Sequence, residues 1–259
     1  MSLDGCGILV TRPAAQADRL CQLIEQHGGR AIRFPTLEIG PPSDPEPARQ
    51  ALNRLADYQL AIFTSTNAVS GAEALAGLQS WPVTARLAAI GNATAAALAG
   101  YGLTVDLLPA RSFTSEALLA LPTLQQMTGQ RVAIITGEGG RTVLADTLAE
   151  RGAEVDVIAV YRRHCPVLDP APLIADWQRG AVDAVIVTSG ESLSNLYNLL
   201  GEPGRTLLIT TPLIVISERT RQAALDAGHR ASVLVAEPGD QTLIDCLLQW
   251  RRNAARIRP

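Results

Sequence analysis

The chain has 259 residues, of which 47% are hydrophobic and 18% are charged, and its formal net charge is -3. This length suits one large or two modest domains, and the mildly acidic balance argues against binding to nucleic acid or to an acidic membrane. All 22 basic residues are arginines, which excludes a Schiff-base lysine, a pyridoxal phosphate anchor and a P-loop lysine. We therefore expect anions to meet arginine side chains and backbone amides.

Cysteines and histidines are few and widely spaced along the chain, with no CxxC pair. This spacing favours neither a metal site nor a disulfide framework, and it predicts a reduced, cytoplasmic protein. No run of apolar residues approaches the length of about 18 that a membrane span needs, so we expect no membrane association.

Short apolar runs typical of β-strands alternate with amphipathic helical stretches along the whole chain, the pattern of βα units around parallel sheets. Ten strands are predicted, which is too many for one small sheet, so we expect two sheets of about five strands each. The predicted strands lie near residues 7–10, 31–34, 59–63, 87–90, 104–107, 132–135, 155–160, 184–187, 213–216 and 232–235.

The order of similar segments suggests two lobes. A short unit at residues 7–34 is repeated at 132–161, and a longer unit at 62–122 is repeated at 185–250. The linear order alone leaves open which short unit packs with which long one. Proline-rich stretches after the first short unit and after Tyr161 are typical of crossings between lobes.

If those stretches are the crossings, the middle of the chain forms one lobe and both ends form the other. We predict that residues 1–35 and 167–259 form a discontinuous lobe 1 and that residues 40–161 form lobe 2. Residues 36–39 and 162–166 then form the connector between the lobes.

Small hydroxyl residues and glycines recur where predicted strands lead into helices, the edge at which open α/β sheets bind ligands. Free N–H groups at such turns suit carboxylates, each interaction being worth roughly 0.3 to 1 kcal/mol. Taken singly, each residue is more typical of a helix N-cap, so the signal is the recurrence in both predicted lobes. The positions are Thr11, Arg12, 64–67, Gly91, Asn92, 136–140, 188–190, Ser217 and Thr220.

The segment TGEGGRT at residues 136–142 does not fit a dinucleotide site, because the third glycine of the motif is missing and the next strand ends without an acidic residue. Tyr161 ends a predicted strand beside a predicted crossing. Its phenol suits a proton donor at neutral pH, and a tyrosine that merely caps the sheet is an equal alternative.

A succession of motifs resembles the uroporphyrinogen-III synthase family over almost the entire chain. In chain order they are VTRP at 10–13, FTSTNAV at 63–69, AIGNATAAAL at 89–98, ITGEGGR at 135–141, VYRR at 160–163, VTSGESL at 187–193 and SERTRQAALDAG at 217–228. The resemblance implies two doubly wound α/β lobes, each with a parallel sheet of about five strands, joined by a two-stranded connector.

The resemblance also implies a reaction. A lyase of this family dehydrates hydroxymethylbilane, a linear tetrapyrrole with an acetate and a propionate on every pyrrole, and closes it to uroporphyrinogen III with the last ring inverted. The proposed path runs through an azafulvene and a spiro-pyrrolenine, and no metal or organic cofactor is implied. We expect a monomer that binds this substrate and makes transient contact with the enzyme that supplies it.

Residue by residue, Tyr161 matches the tyrosine proposed to assist departure of the hydroxyl. The implied substrate-binding residues lie in loops after predicted strands, although Arg219 before Thr220 departs from the consecutive hydroxyl residues of many relatives. They are Arg12, Thr64, Ser65, Asn67, Gly91, Gly137, Arg141, Thr188, Ser189, Gly190, Ser217 and Thr220.

Two alternatives remain open. A two-lobed regulatory module could bind a small anion without turnover, and a glycosyltransferase-like or epimerase-like enzyme would bind a nucleotide sugar. The first would leave hydroxymethylbilane unconverted, and 259 residues are short for the second.

Overall fold

The computed structural model of the chain describes residues 2–79, 81 and 85–257, with side chains as far as residue 253. The strands within these residues are β1 (Gly7–Val10), β2 (Arg30–Arg33), β3 (Glu38–Gly40), β4 (Leu60–Phe63), β5 (Arg86–Ala89), β6 (Arg131–Gly137), β7 (Glu154–His164), β8 (Ala184–Val187), β9 (Leu213–Val215) and β10 (Val233–Val235). The α-helices are α1 (Ala14–Gln26), α2 (Glu46–Leu52), α3 (Thr66–Ala76), α4 (Asn92–Ala99), α5 (Ser115–Leu119), α6 (Val143–Glu150), α7 (Ala171–Gln178), α8 (Gly190–Ile209), α9 (Glu218–Asp226) and α10 (Asp240–Ile257).

The fold divides into two compact units. One unit contains the chain up to Glu38 together with the chain from His164 onward, and the other contains Ile39–Arg163. The assignment of residues 36–39 and 162–166 as a connector between lobes stays a prediction. Each described helix is too short or too polar to cross a membrane.

The first unit is built on a five-stranded sheet in the order β10-β9-β8-β1-β2, with parallel pairing throughout. Alternate residues of β1 enter different cores, since Ile8 and Val10 pack on one face and Leu9 on the other. A strand that is covered by helices on both faces must be apolar at every position, which explains its continuous apolar run.

The second unit has a sheet in the order β3-β7-β6-β4-β5. The pairs β4-β5, β4-β6 and β6-β7 are parallel. In β4, Leu60 and Ile62 pack on one face while Ala61 and Phe63 pack on the other. The prediction of two five-stranded sheets from the sequence is confirmed.

One predicted strand is wrong. Residues 104–107 form only an isolated bridge, in which Leu107 pairs with Ala88. The carboxylate of Asp106 accepts the N–H of Leu87 at 2.7 Å, so a side chain takes a donor of the edge strand β5 that a continuing ladder would have bonded. The fifth strand of this sheet is instead β3, within the stretch predicted as a crossing.

His229 is buried in the first unit and gives its stability a pH dependence. Only 6% of the residue is exposed, and neither ring nitrogen makes a hydrogen bond to a described residue. Burial lowers the pKa of His229 from its ordinary value, and the nearby backbone of Thr211 offsets this in part. The imidazole is therefore neutral in the fold over a range in which it is protonated in the unfolded chain.

We expect the free energy of unfolding to fall as the pH drops below about 6.5, by at most about 1.4 kcal/mol per pH unit from this residue. The folded pKa is the lower one, so the stabilisation is complete above the unfolded pKa and is lost as the pH falls toward the folded value. Denaturant titrations of wild type and His229→Leu from about pH 8 to pH 5 measure it. Parallel stability curves for the two proteins would contradict the assignment.

Candidate active site

A cavity of about 470 Å³ in the Ile39–Arg163 unit brings five of the predicted site residues together. It opens where β4 and β6 end, and because these strands are parallel neighbours their carboxyl ends lie at the same edge of the sheet. The five residues that line it are Thr64, Ser65, Gly137, Arg141 and Tyr161.

A break in strand pairing places Tyr161. Thr136 pairs with Ala159, whereas the next residue, Gly137, pairs with Tyr161, so Val160 is an extra residue on β7. Bulges of this kind redirect the following side chain and are common beside active sites. The Tyr161 ring packs against Gly137, where an added Cβ would lie 2.6 Å from Cζ.

The Tyr161 hydroxyl lies 3.2 Å from Oγ of Ser65, and only 7% of the tyrosine is exposed. Ser65 is the N-cap of α3, and its Oγ accepts the N–H of Ala68 at 3.1 Å. The phenol oxygen is thus held at the positive end of a helix dipole, which favours negative charge by roughly 0.3 to 1 kcal/mol. A proton donor that must carry negative charge after transfer suits this position.

The buried Tyr58 in the same unit has a different environment. Its hydroxyl donates to Asp156 at 2.6 Å, and burial together with that carboxylate raises the pKa of Tyr58 to about 12. A tyrosine that faces a carboxylate is a poor acid, because its deprotonated form would be buried beside a like charge. Tyr161 faces the neutral hydroxyl of Ser65 instead.

Arg141 lies at the rim of the cavity with 74% of its side chain exposed. Its nearest acidic partner is Glu116 at 3.6 Å. The pKa of Glu116 is lowered by hydrogen bonds from the backbone N–H of Glu116 and from the side chain of Thr114, and the charge of Arg141 adds to this. A loosely paired, exposed guanidinium can turn toward an incoming carboxylate at little cost.

Asn67 and Gly91 lie outside the lining of this cavity. Asn67 borders a separate pocket of about 240 Å³ on another side of Tyr161. Gly91 is the N-cap of α4, and an added Cβ would lie 3.1 Å from Cβ of Phe113. Gly91 has a packing role in the structure, because Phe113 lies in the space that a side chain at this position would need.

The remaining predicted residues lie in the other unit, where two serines act as helix N-caps. Ser189 Oγ accepts the N–H of Ser192 at 3.0 Å at the start of α8. Ser217 Oγ accepts the N–H of Thr220 at 3.2 Å at the start of α9 and lies 2.8 Å from its hydroxyl. Thr220 is only 2% exposed. Thr188 and Gly190 flank Ser189 and are partly exposed.

Arg12 forms an ion pair with Asp240, the first residue of α10, at 2.5 Å. Both side chains are largely shielded, being 17% and 18% exposed. Arg19 approaches the same carboxylate at 3.8 Å. In the structure Arg12 braces the loop after β1 against α10.

Sequence reasoning missed contacts that complete the cavity. Thr64 Oγ1 donates to Thr136 Oγ1 at 2.9 Å, which joins the ends of β4 and β6. Glu138 reaches the loop after β3 through Ser43. The PPSDP segment around Ser43 carries no motif that would have suggested this contact.

Within the part of the chain that the structure describes, no group of three or more His, Cys, Asp or Glu side chains is placed to hold a metal ion. Independence of metals and cofactors stays a prediction.

Comparison with known proteins decides the family. A family model described as uroporphyrinogen-III synthase HemD matches residues 18–245. The uroporphyrinogen-III synthase of Escherichia coli (strain K12) is 35% identical over 245 residues, which cover 93% of this chain and 98% of that relative. The chain belongs to the uroporphyrinogen-III synthase family. The uroporphyrinogen-III synthase of Salmonella typhimurium (strain LT2) is 34% identical over 248 residues, with the same 93% and 98% coverage.

A solved uroporphyrinogen III synthase shares the fold. The crystal structure of a mutant of the protein from the extremely thermophilic bacterium Thermus thermophilus superposes with a TM-score of 0.61 at 21% identity, covering 97% of this chain and 99% of that one. The likeness confirms the two-lobed α/β fold class. The family consists of enzymes, so the chain is an enzyme of that family. The alternative of a regulatory module without turnover is not supported.

Proposed function

We propose that the chain is a lyase that cyclises hydroxymethylbilane to uroporphyrinogen III, with Tyr161 as the proton donor. The observation that carries the residue assignment is the Tyr161 hydroxyl, held 3.2 Å from Ser65 at the edge of a 470 Å³ cavity. The family match over residues 18–245 supports the reaction.

The first step is departure of the substrate hydroxyl. Tyr161 transfers its phenolic proton to the leaving oxygen, the C–O bond breaks, and water departs with the bonding electrons. The pyrrole nitrogen keeps its N–H and delocalises the resulting positive charge, so the intermediate is a protonated azafulvene. The α3 N-terminus and the Ser65 hydroxyl stabilise the phenolate that remains.

Ring closure then requires orientation more than strong acid or base chemistry. A carbon of the terminal pyrrole attacks the azafulvene carbon to give a spiro-pyrrolenine, which fragments and recombines with that ring inverted. The pyrrole carbon finally loses a proton, which restores the phenol of Tyr161. Because the bilane also closes unaided to the uninverted isomer, the task of the protein is to fix which carbon attacks.

Side chains and backbone amides at or after the carboxyl ends of strands in both units are the proposed binding sites for the substrate carboxylates. In the Ile39–Arg163 unit these are Thr64, Ser65, Asn67, Gly91, Gly137 and Arg141. In the other unit they are Thr188, Ser189, Gly190, Ser217 and Thr220. We assign Arg12 an indirect role in substrate binding, because its guanidinium forms an ion pair with Asp240.

The test supplies fresh hydroxymethylbilane, oxidises the products to porphyrins, and separates the type I and type III isomers by chromatography. We expect predominantly type III product above a no-enzyme control. Type I product at the spontaneous rate from a folded sample would reject the proposal.

A further inference from the structure

Glu138 follows Gly137 in the loop that lines the cavity, and it makes contacts that the proposed chemistry does not use. Its backbone N–H donates to the carbonyl oxygen of Tyr161 at 2.8 Å. Its carboxylate turns toward the loop after β3, where it accepts the N–H of Ser43 and, at 3.0 Å, the hydroxyl of Ser43.

A third segment joins this network. Nη1 of Arg162 donates to Oγ of Ser43 at 3.2 Å. Glu138 and Ser43 together thus connect the glycine-rich loop that packs on the Tyr161 ring, the loop after β3, and the end of β7 that carries Tyr161. All of these residues belong to the Ile39–Arg163 unit.

The sign of the charge argues against a direct role in binding. A carboxylate that lines the cavity repels a polycarboxylate substrate, with an energy of about 1 kcal/mol at 4 Å even in bulk water. Glu138 is nevertheless one of the residues that form the cavity wall. Its hydrogen bonds to Ser43 provide a reason for its presence, since charge-assisted bonds hold a loop more firmly than neutral ones.

We propose that Glu138 is a positioning residue that fixes the loop 137–140 and, through it, the ring of Tyr161. This inference rests on the proposed function. Catalytic groups must be held within a fraction of an ångström, and a displacement of about 1 Å can cost about 100-fold in rate.

The test measures kcat and KM for formation of the type III isomer in Glu138→Ala. We expect kcat to fall about tenfold, because the loop is released. We expect KM to stay the same or to decrease, because a repulsive charge is removed. Glu138→Gln keeps one acceptor oxygen, so its kcat should lie between those of wild type and Glu138→Ala. Glu46→Ala removes an exposed carboxylate of α2 that pairs with Arg49 and accepts a hydrogen bond from Gln50, and it serves as the matched control with wild-type kcat.

A double-variant cycle with Tyr161→Phe separates positioning of the phenol from a general structural effect. If Glu138 acts through the Tyr161 hydroxyl, Glu138→Ala should leave kcat unchanged within about twofold when that hydroxyl is already absent. An equal loss of kcat in both backgrounds would overturn the inference, as would a wild-type kcat in Glu138→Ala. Absence of type III product from the wild type is a different result, which would reject the proposed function itself.

Discussion

Replacing Tyr161 with Phe is expected to lower kcat for uroporphyrinogen III formation by about 10²- to 10⁴-fold, the range typical of general acid catalysis. The variant removes the phenolic proton and leaves the ring that packs on Gly137 in place. Stability should fall by only about 0.5 to 1.5 kcal/mol, the usual net value of one hydrogen bond, here the bond to Ser65.

Tyr58→Phe is the matched control, because it also removes a buried tyrosine hydroxyl from the same unit. Tyr58 bonds to Asp156 and lies outside the lining of the 470 Å³ cavity. This variant should lose a similar or somewhat larger amount of stability and keep the kcat of the wild type. Wild-type kcat in Tyr161→Phe, measured with fresh substrate and isomer separation, would remove Tyr161 from the acid role.

The two tyrosines illustrate why burial alone is a poor guide to a catalytic acid. Tyr58 is 2% exposed and Tyr161 is 7% exposed, so both are shielded from water. What differs is the partner, which is the carboxylate of Asp156 for one and the hydroxyl of Ser65 for the other. The helix N-terminus behind Ser65 adds a favourable potential for a phenolate.

The parts of the fold that follow local patterns could be predicted from the sequence. Strands such as β1 and β4 are apolar at every position because both faces are buried, and that pattern is visible without any pairing information. The strand predicted at 104–107 failed because Asp106 bonds to Leu87 with its side chain, a choice that hydrophobic patterning does not encode.

The site was predictable only in part, because some of its contacts depend on how the strands pair and not on local sequence patterns. The hydroxyl residues after β4 and the tyrosine at the end of β7 stand in motifs, so the family resemblance pointed to them. The bulge at Val160 depends on how β7 pairs with β6. The contact of Glu138 with Ser43 joins residues 95 positions apart, and no local pattern predicts that the two residues meet. Contacts of this kind can be predicted only once the order of the strands in the sheet is known.

Gly137→Ala is expected to damage both activity and stability through one steric contact. The added Cβ would lie 2.6 Å from Cζ, 2.8 Å from Cε2 and 3.0 Å from the hydroxyl oxygen of Tyr161. Real carbon atoms do not approach this closely, so either the ring or the loop must move. Overpacking of this kind costs about 1 to 3 kcal/mol, and a shift of the phenol by about 1 Å can lower kcat about 100-fold.

Two further variants isolate this contact in measurements of the free energy of unfolding. Gly100→Ala, at a helical position at the end of α4 with its nearest contact at 3.3 Å, should be close to neutral. Tyr161→Ala removes the ring, so adding Gly137→Ala to it should cost far less than in the wild type. An equal cost of Gly137→Ala in both backgrounds would show that the glycine serves the loop itself. A smaller loss of stability in the absence of the ring would establish that position 137 must be glycine to leave room for the Tyr161 ring.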